Sequence, residues 1–134
     1  MDETQANGKS RRILIVDDND LNTQYLRTLL LRHNFLVDVA ADGPQAIEAI
    51  KRRRPDVVLL DVMMPGMSGI EVLQRLRNDS SQHDVPVILV TAKSQDDDIL
   101  TGYQEGADYY LTKPFTTRQL LHGLGLVLGM RLVE

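Results

Sequence analysis

The chain contains no cysteine. Disulfides, thiol nucleophiles and thiolate metal sites are therefore excluded, which suits a reducing compartment. It also lacks an apolar run of transmembrane length, for which about 20 residues are needed. Met1 to Ser10 are polar and carry no apolar core of the kind a secretory signal requires. Residues 1–10 are expected to form a disordered tail. The protein is expected in the cytoplasm, without membrane association. There is no internal repeat and no low-complexity tract. A basic stripe is missing too: 15 Lys and Arg stand against 19 Asp and Glu, a net charge of −4. That balance argues against direct nucleic-acid binding. The one basic run, Lys51, Arg52, Arg53 and Arg54, is expected to close an amphipathic helix, where cations suit the negative pole of the dipole.

What is present is an ordinary composition with a regular pattern. The 134 residues are 43% hydrophobic and 25% charged, enough for one domain with a core. Ile13-Leu14-Ile15-Val16, Val57-Val58-Leu59-Leu60 and Val87-Ile88-Leu89-Val90 are short, continuous and rich in β-branched residues. Such runs suit central parallel strands covered on both faces. Leu36 to Ala40 and Ala107 to Leu111 are less uniformly apolar and are assigned to the edges. Helical stripes fill the gaps: Leu21, Tyr25 and Leu29 with Leu26 and Leu30; then Ala46, Ile47 and Ile50 behind Pro44 in a first turn. Ser68 to Glu71 reads as a capping box opening a third helix with Ile70, Leu73 and Leu76 inward. Ser94 can cap a fourth helix, and Thr116 to Gln119 is a capping-box pattern for a fifth. The expectation is an α/β fold, a (βα)5 doubly wound parallel five-stranded sheet of flavodoxin-like type. Right-handed crossovers favour the order 2-1-3-4-5.

In such a sheet, ligands bind beyond the carboxyl ends of the strands, where the strand order reverses. Asp17 and Asp18 follow the first strand and Asp61 follows the third. These carboxylates should converge. Close like charges raise each other's pKa, and a bound cation relieves the repulsion. The donors are all hard oxygen, so Mg²⁺ fits. Thr91 at the end of the fourth strand offers a hydroxyl, and Lys113 just after the fifth offers an ammonium. A carboxylate nucleophile, a divalent cation, a hydroxyl and a lysine make a set suited to phosphoryl transfer, which needs positioning and charge neutralisation above all. Asp20 and Asp42 read as turn or cap residues. His33, His83 and His122 lack metal-ligand spacing; His33 reads as a helix C-terminal residue.

Ile-Leu-Ile-Val-Asp17-Asp18, Leu-Leu-Asp61-Val-Met-Met-Pro65-Gly66-Met-Ser-Gly69, Val-Thr91-Ala92-Lys93 and Gly106-Ala107-Asp-Tyr-Tyr110-Leu-Thr-Lys113-Pro114-Phe115 resemble the receiver domain of bacterial two-component response regulators. The domain expected from the match covers residues 11–131. The resemblance implies Asp61 as phospho-acceptor. It implies Mg²⁺ held by Asp18, Asp61 and the backbone carbonyl of Met63, with Asp17 near it through water. Lys113 would pair with the phosphoryl group before a cis Lys113–Pro114 bond. Thr91 and the Ala92 backbone would meet phosphoryl oxygens, and Tyr110 would be an aromatic switch. The donor would be a histidine kinase or a histidine phosphotransfer protein. The responding surface would combine the fourth helix, fifth strand and fifth helix, either as a homodimer face or toward an output domain. The fourth helix, with Ile99, Leu100 and Tyr103 as apolar anchors beside Asp96, Asp97 and Asp98, is the expected mobile element.

Two features depart from that pattern. Tyr109 stands where many such receivers carry a second acid. The stretch Leu120 to Met130 has no charge and holds Gly123, Gly125 and Gly129, so it is either an exposed interaction patch or an unusually buried helix. Two other functions compete. A phosphatase of the haloacid-dehalogenase type would want an acid two positions after the nucleophile, where this chain has Met63. A phosphate-independent pseudo-receiver would not need Asp17, Asp18, Asp61, Thr91 and Lys113 together. The expected protein is a regulatory phospho-acceptor, limited to its own phosphorylation and slow dephosphorylation.

Overall fold

The computed structural model of the chain describes residues 11–92 and 106–132. The expected tail at residues 1–10, the Ser94 cap and the fourth helix lie outside the described residues. Five parallel strands, β1 (Arg12–Val16), β2 (Leu36–Ala40), β3 (Val57–Asp61), β4 (Val87–Ala92) and β5 (Tyr109–Lys113), form one sheet in the order β2-β1-β3-β4-β5. Helices α1 (Asp20–Arg32), α2 (Gly43–Arg52), α3 (Gly69–Arg77) and a C-terminal helix (Thr117–Leu128) flank it. This is the doubly wound sheet expected, with its weaker strands at the edges.

The central strands are apolar because both faces are covered. Val58, Leu60, Val87 and Leu89 pack under α2 and α3, with Ala46, Ile50, Val72, Leu73 and Leu76. Ile13, Ile15, Val57, Leu59, Ile88 and Val90 pack on the other face, against Leu26 and Leu30 of α1 and Leu120 and Leu124 of the C-terminal helix. The period-two alternation of strand side chains thus splits each strand between two cores.

The expected caps are in place. Asp42 accepts from Gln45 N at the start of α2. Reciprocal capping boxes join Ser68 to Glu71 and Thr116 to Gln119. Lys51 and Arg52 close α2, and His33 caps the end of α1. The N-cap of α1 is Asn19, so Asp20 is its first residue.

Three expectations are corrected or decided. Leu21 and Tyr25 are 76% and 61% exposed. The inward face of α1 is Thr23, Leu26 and Leu30, so Leu21 and Tyr25 stand on the helix flank beside the sheet's carboxyl end. Strand β5 begins at Tyr109, two residues later than expected, and runs through Lys113. The Asp108 carboxylate accepts from Val87 N at 2.8 Å and from Arg77 Nη2 at 3.1 Å, which places the side chain of Asp108 at the head of the ladder. The apolar C-terminal helix buries one face, Leu120, Leu121, Gly123, Leu124 and Gly125, and leaves Leu126 exposed. A Cβ on Gly123 would come within 2.6 Å of the Tyr109 ring. The glycine makes room for the residue that departs from the pattern on β5.

Candidate functional site

The register of the sheet builds the site. β1 and β3 are neighbours, Val16 pairing with Leu60, so Asp17 and Asp61 emerge side by side. One carboxylate oxygen from each of Asp17, Asp18 and Asp61 lies within 4.8 Å of the others. Asp17 and Asp61 are buried and Asp18 is exposed. β4 places Val90 opposite Asp61, and β5 places Lys113 opposite Ala92. Lys113 Nζ reaches across to Asp61 Oδ1 at 3.6 Å and Asp17 Oδ2 at 3.8 Å. The convergence expected from four strand ends is therefore present for Asp17, Asp18, Asp61 and Lys113.

Local structure fixes each acid. Asp17 Oδ1 accepts from Asn19 N at 2.9 Å, an Asx turn that also starts α1, and Asp17 Oδ2 accepts from Asn22 Nδ2 at 3.4 Å. Neither asparagine was singled out in the sequence. The Asp-x-Asn spacing before a helical stripe is the signal that could have found Asn19. Asp61 Oδ1 accepts from Met63 N at 3.3 Å. Gly69 opens α3 where a Cβ would collide with the Asp61 carbonyl oxygen, so only glycine lets the loop close over the end of β3.

Burial pushes the Asp61 carboxyl up, from 3.8 to about 6. Lys113 pulls it down and the neighbouring Asp17 and Asp18 push it up. The residues fit a hard divalent cation: among the described residues, two buried carboxylates and one exposed carboxylate face one ammonium, an excess of negative charge. Asp18 and Asp61 offer side-chain oxygens, and Met63 is exposed at the loop beside them.

Thr91 is fully buried, and its Oγ1 has no hydrogen-bond partner among the described residues. It lies one residue beyond Val90, the strand partner of Asp61. By alternation it shares the sheet face of Val87 and Leu89, whereas Val90 belongs to the other core. Ala92 ends β4. Tyr110 is half-buried and packs with Val87 and Leu89 on the Thr91 face. Tyr109 turns to the opposite face. The Lys113–Pro114 bond is cis. Beside the carboxylates, α1 and the Lys113–Phe115 turn enclose a cavity of about 470 Å³.

A family model of the response regulator receiver domain matches residues 13–124. The DNA-binding response regulator MtrA of Mycobacterium tuberculosis is 43% identical over 111 residues, 83% of this chain and 47% of that protein. The sensory transduction protein RegX3 of Mycolicibacterium smegmatis is 43% identical over 116 residues, 87% of this chain and 50% of that protein. The chain thus spans about half the length of the curated relatives it matches. Among solved structures, the chemotaxis response regulator CheY4 of Vibrio cholerae superposes with a TM-score of 0.82 at 32% identity, covering 88% of this chain and 98% of that one. The receiver domain of Francisella response regulator 1452 gives 0.81 at 30% identity, covering 90% and 98%. The fold, the acidic strand ends and these matches agree: the chain belongs to the response regulator receiver-domain family, the phosphoryl-accepting switches of two-component signalling.

Proposed function

We propose that Asp61 is the phospho-acceptor of this receiver and that residues 11–131 form its domain. The observation that supports this is the meeting of Asp17, Asp18, Asp61 and Lys113 at adjacent strand ends. A carboxylate oxygen of Asp61 attacks phosphorus, the bond to the donor breaks, and its electron pair leaves with the donor. Lys113, already within 3.6 Å of Asp61, offsets charge on the phosphoryl oxygens. The Thr91 hydroxyl, buried and without a partner among the described residues, is available to donate to one of those oxygens, with the Ala92 backbone beside it.

Asp18 and Asp61 would hold Mg²⁺ through their side chains and Met63 through its backbone carbonyl, with Asp17 contributing through water. When bound, Mg²⁺ supplies charge neutralisation for the transferring phosphoryl group. Tyr110, on the Thr91 face of β5, responds to the movement of Thr91. The signal leaves through β5, the C-terminal helix and the segment between β4 and β5. The donor is a histidine kinase or histidine phosphotransfer protein in the cytoplasm. The receiver modifies only itself, losing the phosphoryl group slowly to water. Longer relatives, of which the match spans about half, one of them named as DNA-binding, support an output domain as the receiver of the signal, a homodimer being the other recipient.

The test is phosphoryl uptake from a small acyl phosphate, read by intact mass. One phosphate is gained per chain with Mg²⁺, and none with chelator or in Asp61→Asn. A gain that survives Asp61→Asn contradicts the assignment.

A further inference from the structure

The cavity beside the carboxylates has a built shape. Its walls are Leu26 and Tyr25 from α1, Leu59 and Val90 from the sheet, and Phe115 from the turn after β5. About 470 Å³ falls within the usual range of roughly 300–1,000 Å³ for small-molecule pockets. Tyr25 Oη lies 3.4 Å from Thr117 Oγ1, tying α1 to the start of the C-terminal helix just past the Phe115 wall. Charge is unequal at the inner end: Asp17 and Asp61 line it, and among the described residues Lys113 is the one ammonium that lines it with them. An anion there would face two largely desolvated carboxylates. A neutral ligand would leave the imbalance untouched. A cation on an apolar body meets both the walls and the charge, and aromatic rings favour it further.

We propose that this cavity binds a small apolar amine, its hydrocarbon against Leu26, Val90 and Phe115 and its ammonium against Asp17 and Asp61, and that such a ligand competes with the divalent cation. The competition rests on the metal site proposed above; the binding itself does not. Linkage is reciprocal: whatever factor the amine takes from Mg²⁺ affinity, Mg²⁺ takes from amine affinity. An occupied cavity would hold the receiver in a form that does not accept phosphate.

The experiment titrates the metal-free chain with 2-phenylethylamine, 2-phenylethanol and 3-phenylpropanoate, following methyl and aromatic NMR signals. The expected result is saturable shifts of Leu26, Leu59, Val90 and Phe115. The amine should bind at least about tenfold tighter than either isostere, a difference of about 1.4 kcal/mol. Excess MgCl₂ should weaken the amine by a similar factor, and Tyr25→Ala should weaken it without changing the Mg²⁺ affinity measured by calorimetry. Equal binding of the alcohol and the amine would mark an apolar slot for a partner's side chain and overturns the proposal, as do shifts that map elsewhere. Mg²⁺ that binds without displacing the amine overturns the competition. If Asp61 takes phosphate normally but the amine shows no preference, this inference fails and the receiver assignment stands; selective amine binding with no phosphoryl uptake is the reverse.

Discussion

Asp61 is held between opposing demands. As the proposed nucleophile it must be ionised, yet burial pushes its pKa up to about 6, with Lys113 opposing the rise and Asp17 and Asp18 adding to it. A carboxyl whose folded pKa is raised binds its proton more tightly in the native state. Its favourable contribution is complete below about pH 4 and is lost as pH rises through about 6. Asp61→Asn without divalent cation should therefore unfold at higher denaturant than wild type at pH 7.5, by no more than about 3 kcal/mol. The gap should close toward pH 4; paired urea titrations at the two pH values measure it. Lys113 carries the only ammonium facing both buried acids among the described residues. Lys113→Met should slow phosphoryl uptake on the order of 100-fold, the usual effect of removing one preorganised charge-stabilising group. The rate of mass gain from an acyl phosphate reads it.

At the scale of elements, the sequence was legible where chemistry is local. The continuous runs of β1, β3 and β4 reveal strands covered on both faces, and Ser68, Thr116 and Asp42 mark helix starts through side-chain bonds to nearby N–H groups. Ser68→Ala should cost about 1 kcal/mol in thermal or urea unfolding. What needed coordinates was long-range. Periodicity placed Tyr25 on a helix face without saying that this face borders a cavity. Glycine is a poor helix former, and only the Tyr109 ring over Gly123 shows why one of the C-terminal glycines is there. Gly123→Ala, which intrinsic propensity alone would favour by about 1 kcal/mol, should instead destabilise the domain by about 1–3 kcal/mol through overpacking. Adding Tyr109→Leu should recover part of that loss, whereas Leu126→Ala, at an exposed position, should change stability by less than about 0.5 kcal/mol. Urea midpoints of the four proteins decide.

The molecule as a whole turns strand order into function. The order β2-β1-β3-β4-β5 sets β1 against β3, so acids 44 residues apart, Asp17 and Asp61, share one pocket. The four carboxylate and lysine positions could be foreseen because each is tied to a strand end. The orientation of Thr91 could not, since it depends on pleat and on which core each face meets. Mg²⁺ should stabilise the native chain by about 2.7 kcal/mol when present at 100 times its dissociation constant, with little effect on Asp61→Asn; thermal unfolding against MgCl₂ concentration tests this. The most direct test of the central claim is to locate the phosphoryl group. Chain phosphorylated with an acyl phosphate and Mg²⁺ is reduced with borohydride, which converts an aspartyl phosphate to homoserine, and its peptides are read by mass. Homoserine at position 61 alone is the predicted result. Homoserine at 17 or 18, or phosphate retained elsewhere with Asp61 intact, would contradict it.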